Sequence, residues 1–249
     1  MTEPGPSVEV PLSRRASDLP KRAASAVVMV AIAGTALWLG GWWWTAFVLL
    51  VAAGVWFEWS VLAMLGHQPG LGRMMWRLGG IVYCGLAAAT LILLRDMGAI
   101  LLLAVIGAVI ATDTFAYFTG RTFGGPKIAP SISPSKTWSG LIGGMIGAAL
   151  TLAALSYQQC ESLYVSLPVD GCGSDGVPWV AALLVGALIA IVAQAGDFFE
   201  SWMKRRARMK DSGKLLPGHG GLFDRVDGLL SVSFVIGLFL LASGAFEWL

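Results

Sequence analysis

Five carboxylates, Asp113, Asp197, Glu200, Asp224 and Asp227, stand near the ends of long apolar stretches, where charge is expensive and is usually retained for a purpose. Asp197 and Glu200 are three apart and Asp197 and Ser201 four apart, so on a helix all three face one side. Asp224 and Asp227 do the same if the last helix begins before them. Carboxylate oxygens drawn from two separate segments, without a Cys or His ligand set, suit Mg²⁺, a hard cation completed by waters and substrate phosphates. Bases surround these acids: Lys204, Arg205, Arg206, Arg208, Lys210, Lys214 and Arg225 in one segment, Arg121, Lys127 and Lys136 in another. The only two histidines, His67 and His219, fall among them. Two glycine-bearing loops, Pro217-Gly218-His219-Gly220-Gly221 and Gly120 with Gly124 and Gly125, offer amides that can approach phosphate oxygens, although no P-loop pattern occurs. Single residues also have plainer readings. Asp113 alone fits an ion pair, Arg206 and Arg208 fit topology control, and Glu58 either joins the acids or pairs with a nearby base. As a set they indicate a metal-assisted reaction on a phosphorylated, lipidic substrate.

Such residues need a frame, and composition names it. The 249-residue chain is 56% hydrophobic and 13% charged, with a mean hydropathy of +0.73, a balance stable only in a membrane. A net charge of +2 excludes a large basic field, and with it a nucleic-acid partner. Apolar runs long enough to cross the hydrocarbon core fall near 24–40, 43–65, 79–95, 98–118, 138–156, 178–199 and 227–247. With the N-terminus inside, every Lys and Arg except Arg95 lies on the cytoplasmic side, which supports both the helix count and the orientation. The expected architecture is all-α: a polytopic transmembrane bundle of about seven helices, N-terminus cytoplasmic. Residues 1–22, with Pro4, Pro6 and Pro11, are expected to form a disordered cytoplasmic tail rather than a signal peptide, and 23–249 a single transmembrane catalytic domain. Trp42, Trp43 and Trp44 fit an aromatic belt at the outer turn. Gly140, Gly143, Gly144 and Gly147 carry the small-residue spacing of close helix packing. Cys84 lies in an apolar stretch, and Cys160 and Cys172 share a polar loop as free thiols or as a disulfide.

The segment Ser201-Trp-Met-Lys204-Arg205, then Lys210-Asp211-Ser-Gly213, then Leu216-Pro217-Gly-His219-Gly220-Gly221-Leu222-Phe-Asp224-Arg225-Val-Asp227, closely resembles the characteristic pattern of the phosphatidate cytidylyltransferase (CDP-diglyceride synthase) family. Asp113-Thr114-Phe-Ala116-Tyr117-Phe-Thr-Gly120-Arg121, Ser133-Pro134-Ser-Lys136-Thr137-Trp138-Ser-Gly140 and Gly196-Asp197-Phe-Phe-Glu200-Ser201 are similar to the same family, as more weakly are Lys21-Arg22 and Glu58-Trp59. Two departures stand out. Phe115 replaces a small residue beside Asp113, and between Trp59 and Asp113 there is room for only two helices where family members carry more.

The resemblance implies that CTP and phosphatidic acid in the membrane become CDP-diacylglycerol and pyrophosphate. It implies Mg²⁺ on Asp197 and Asp224, with Asp227 and Lys210 completing the catalytic set, and leaves room for a second, monovalent cation. Lys204, Arg205, Lys210 and Arg225 would clamp phosphates, and Ser133, Lys136 and Thr137 would bind the triphosphate or the lipid phosphate. Asp113, Arg121, Ser201, Asp211, His219, Gly220 and Gly221 would complete the substrate site, with His219 as an orienting donor. A homodimer in a bacterial inner (plasma) membrane, its site facing the cytoplasm, is the implied setting. A CTP-dependent polyprenol or lipid kinase shares membrane, nucleotide and metal but moves the γ-phosphoryl group. A transporter would carry its charges near the midplane within repeats, which this chain lacks.

Overall fold

A computed structural model describes residues 12–66, 70–166, 179–216 and 220–244, which form seven helices and one two-stranded hairpin. The helices are α1 (Leu12–Leu39), α2 (Gly41–Gly66), α3 (Leu71–Met97), α4 (Ala99–Thr122), α5 (Trp138–Ser166), α6 (Trp179–Arg206) and α7 (Phe223–Ala242), with strands β1 (Lys127–Ala129) and β2 (Ser133–Thr137) between α4 and α5. Six of these helices are long and apolar enough to span a bilayer, and α1 adds the shorter apolar stretch Ala23–Leu39. The chain is a multi-pass integral membrane protein. Of the expected tail, residues 1–11 lie outside the described residues, and Leu12 onward is drawn into α1. The side chains of Cys160 and Cys172, and both histidines, also lie outside them, whereas Cys84 is a buried free thiol.

Lipid tails are as apolar as leucine, so membrane helices hold together through close backbone approach rather than through apolar burial alone. The glycine row of α5 does this against α4. A Cβ on Gly140 would sit 2.9 Å from the Ala116 carbonyl oxygen and one on Gly144 3.0 Å from that of Thr112, while Gly143 and Gly147 abut Thr119 and Phe115. Phe115 thus packs on α5. Between α5 and α6 the fit is tighter still, because a Cβ on Gly186 would come within 2.5 Å of the Ala149 backbone. Backbone cannot yield as a side chain can. Gly186→Ala is therefore expected to destabilise the bundle by about 2 kcal/mol, read as a lower melting temperature in detergent, while Gly34→Ala, with nothing within 4 Å, leaves it unchanged.

Two apolar clusters divide the bundle along its length. One, around Trp44, Leu91, Leu102 and Val232, fills the end where α1 meets α2; the other, around Trp59, Leu62, Met203 and Phe223, is walled by Trp76, Tyr83, Phe199 and Trp202. Trp44 is buried with its indole nitrogen donating to the Leu91 carbonyl at 3.1 Å, so only Trp42 and Trp43, both exposed, suit an interfacial belt. Arg95, the lone base at that end among the described residues, donates from Nε and Nη2 to the Leu37 carbonyl, each at 3.2 Å. It satisfies a carbonyl that the last turn of α1 leaves without a helical partner.

Candidate active site

At the opposite end, α6 continues as helix to Arg206, past the expected boundary near 199, so that Asp197, Glu200, Ser201 and Lys204 all ride on consecutive turns. Helix α7 starts at Phe223, which sets Asp224 and Asp227 one turn apart on one side. Small residues bring these two helices together: a Cβ on Gly196 would strike Ser231, and one on Gly228 would lie 3.5 Å from Ala193.

Asp197, Glu200 and Asp227 each present a carboxylate oxygen, all within 4.8 Å of one another. Glu200 is almost fully buried, and its Oε1 has no hydrogen-bond partner among the described residues. A buried acceptor left open beside two further carboxylates, with oxygen the only donor atom, fits a hard divalent cation. Two ammonium groups hold the rim. Lys136 Nζ lies 2.5 Å from Asp197 Oδ2, and Lys204 Nζ bridges Glu200 Oε2 at 2.5 Å and Asp224 Oδ1 at 2.7 Å. Four carboxylates, with Asp113 beyond them, outnumber the two ammonium groups, an excess of negative charge that a divalent ion would offset. Asp113, on α4, lies within electrostatic reach of Lys136, Asp197 and Asp227. Ser201 Oγ donates to Asp197 Oδ1 at 3.4 Å.

Lys136 reaches the acids because the hairpin aims it. Gly124 and Gly125, at φ +62° and +101°, turn the chain out of α4 in a conformation that side-chain-bearing residues rarely adopt. Thr137 then caps α5 by accepting the Gly140 amide at 3.1 Å, and Arg205 of α6 donates to the Ile132 carbonyl at 3.4 Å. Burial works against the Lys136 charge, but Asp197, with Asp113 and Asp227 beyond it, outweighs that and holds its ammonium above the usual lysine range. Its charge therefore persists at any pH near neutrality.

Asp224 is held differently from the three clustered acids. Its Oδ2 accepts the amides of Ser212 and Gly221, each at 2.9 Å, and lies 3.1 Å from the Ser212 hydroxyl oxygen. Asp224 adjoins the group through Glu200, beside which its carboxylate lies, and through Lys204, which bridges the two. Behind Asp224, Glu58 of α2 is 1% exposed and, among the described residues, is held by hydrogen bonds rather than by a base. It accepts the Leu222 amide at 3.0 Å, the Phe223 amide at 2.9 Å and the Ser212 hydroxyl at 2.8 Å. Gly213 and Gly221 leave room for this carboxylate, since a Cβ on either would collide with it. Two acids from opposite ends of the sequence thus clasp the segment joining α6 to α7.

The structure therefore brings together Asp113, Lys136, Asp197, Glu200, Ser201, Lys204, Asp224 and Asp227, sets Glu58 behind Asp224, and adds Ser212. The amide of Gly221 and the hydroxyl of Thr137 are engaged within the protein rather than open to phosphate. Ser133 is buried in β2, and Gly220 packs against Asp211 and Asp224. Lys210 and Asp211 are exposed on the connecting segment, and Arg225 is exposed on the first turn of α7. Arg121 donates to the Tyr117 hydroxyl at 2.8 Å, one turn away on α4, and Arg206 to the Gly66 carbonyl at 3.0 Å. His219 lies outside the described residues.

A profile of the cytidylyltransferase family matches residues 66–243. The chain is 34% identical to a phosphatidate cytidylyltransferase of Brucella abortus, covering 90% of this chain and 93% of that one. That alignment runs to 268 positions, longer than this 249-residue chain, so the relative carries residues lacking here. A phosphatidate cytidylyltransferase of Rickettsia bellii is 32% identical over 78% of this chain and 80% of its own, and one of Thermotoga maritima 41% identical over 56% and 48%.

Proposed function

Because the chain belongs to the cytidylyltransferase family and is thus a nucleotidyltransferase, we propose that it joins CTP to phosphatidic acid, giving CDP-diacylglycerol and pyrophosphate. The supporting observation is the group of Asp197, Glu200 and Asp227, rimmed by Lys136 and Lys204, at one end of a membrane bundle. In the reaction a phosphate oxygen of phosphatidic acid attacks the α-phosphorus of CTP. A new P–O bond forms, the bond from the α-phosphorus to the bridging oxygen breaks, and pyrophosphate leaves with that electron pair. Two polyanions must meet, and each pair of unit charges at 4 Å costs about 1 kcal/mol in water and about 4 at a protein surface. Cations are therefore the catalytic requirement. Mg²⁺ held by Asp197, Glu200 and Asp227, with Asp224 beside them, would supply charge neutralisation at the phosphates.

The chain's own groups do the rest. Lys136 and Lys204 sit between carboxylates and incoming phosphates and can exchange one anion for the other without losing charge. Arg205, Lys210 and Arg225 stand on the segments around the cluster, where they can grip the outer phosphates. The attacking phosphate is already ionised, so no strong base is needed. The distribution of Lys and Arg supports a site facing the cytoplasm across a bacterial inner membrane. A homodimer belongs to the same proposal, although every group named here comes from one chain. Purified protein given phosphatidic acid, Mg²⁺ and CTP labelled at the α or the γ position tests the reaction. Label is expected in the lipid from α-labelled CTP alone; transfer from γ-labelled CTP would make the protein a lipid kinase and overturn it.

A further inference from the structure

Arg73 and Arg77, one turn apart at the start of α3, take no part in the site above. With Trp56, Met74, Leu78 and Ile81 they line a groove of about 340 Å³ between α2 and α3. It lies at the same end of the bundle as the carboxylates, since α2 ends at Gly66, whose carbonyl accepts from Arg206 of α6, and α3 begins at Leu71. Along α3 the two arginines come first, and Leu78 and Ile81 follow toward the bundle centre, reaching about 10 Å deeper than Arg73 at the helical rise. Charge at the mouth and apolar floor below is the order of a glycerophospholipid, phosphate first and acyl chain beneath. Trp56 forms a fixed wall, its indole nitrogen donating to the Arg77 carbonyl at 3.2 Å. Met74, Leu78 and Ile81 are each about half exposed, so a chain laid along them covers apolar surface. Any furrow in a bilayer meets acyl chains. The paired guanidinium groups are what select a headgroup, because basic pockets between transmembrane helices at this depth hold anionic lipids.

We infer that the α2/α3 groove binds an anionic glycerophospholipid of the surrounding leaflet, its phosphate between Arg73 and Arg77 and one acyl chain over Leu78 and Ile81. This lipid is not the one that reacts. Trp56 precedes Glu58 by two residues and so projects from a different face of α2, and the groove's lining shares no residue with the carboxylate group. The full chain in phosphatidylcholine vesicles provides the test, with brominated phospholipids as quenchers and the Trp56→Phe protein subtracted to isolate the Trp56 signal. Brominated phosphatidylglycerol should quench at about a tenfold lower mole fraction than brominated phosphatidylcholine. That preference should vanish in the Arg73→Gln/Arg77→Gln protein and survive in the Arg73→Lys/Arg77→Lys protein, while cytidylyl transfer persists in both. Equal quenching by the two lipids in the unaltered protein overturns the inference whatever the variants do, as does an undiminished preference in the glutamine protein. Brominated phosphatidic acid outcompeting phosphatidylglycerol by a similar margin would give the groove to the reacting lipid and overturn it equally.

Discussion

Asp227→Asn is expected to lower kcat/KM by on the order of a thousandfold, because it removes one unit of ligand charge from the only three-carboxylate group found among the described residues. The change preserves shape. Asp227 Oδ1 accepts the Gly228 amide at 2.9 Å, and the carbonyl oxygen of asparagine can still do so, so the fold should persist. Steady-state rates across a Mg²⁺ series are the measurement. If the role is that of a ligand, the variant needs more Mg²⁺ and never regains full turnover. A loss below about tenfold at saturating Mg²⁺ would remove Asp227 from the set. Asp224→Asn should also be severe, but for another reason. Its amide nitrogen would face donors where Oδ2 now accepts from Ser212 and Gly221, or meet Lys204 where Oδ1 does, and extra Mg²⁺ would not restore it.

Glu58→Gln should be nearly as damaging, although Glu58 contacts none of the clustered acids. Both carboxylate oxygens accept hydrogen bonds, one from the Leu222 amide and the other from the Phe223 amide and the Ser212 hydroxyl. Glutamine offers a single oxygen, so one side must set an NH₂ group against a buried donor. Leaving such donors unmet costs on the order of 3 kcal/mol and frees the segment that carries Lys210, Asp211 and the start of α7. A structural defect alone would lower the melting temperature. The positioning role adds a rise in KM for CTP beyond any change in KM for phosphatidic acid, and Glu58→Asp should recover part of it. A glutamine protein with unaltered melting temperature and kinetics would remove Glu58 from the account.

How much of this is readable in the sequence depends on how local each feature is. Helix existence and the common depth of the acids follow from apolar run length and from the side on which bases fall, so seven helices and one acidic end are legible. Which acids stand closest together is not. Helical spacing puts Asp224 and Asp227 on one side of α7, but the rotation of α7 against α6 selects between them. That rotation is fixed by Gly196 against Ser231 and Gly228 against Ala193, contacts between segments that spacing rules do not connect. Asp197 groups with Glu200 and Asp227, their oxygens within 4.8 Å of one another, while Asp224, the expected partner ligand, stands beside Glu200 and shares Lys204 with it. Glu58 is hidden for a related reason. Its partners are backbone amides more than 150 residues distant, and amides leave no mark in side-chain composition. The β1 and β2 hairpin is obscured by Pro126, Pro130 and Pro134, which read as a loop. Yet it is the device that delivers Lys136 to Asp197.

Binding of Mn²⁺ to the purified protein, followed by loss of the free-ion electron paramagnetic resonance signal, addresses the ion site without relying on turnover. One site is expected, weakened at least about tenfold by Asp227→Asn and by Glu200→Gln and left intact by Arg206→Gln, whose side chain caps α2 instead. Equal Mn²⁺ affinity in the unaltered and Asp227→Asn proteins would contradict a divalent ion held between α6 and α7.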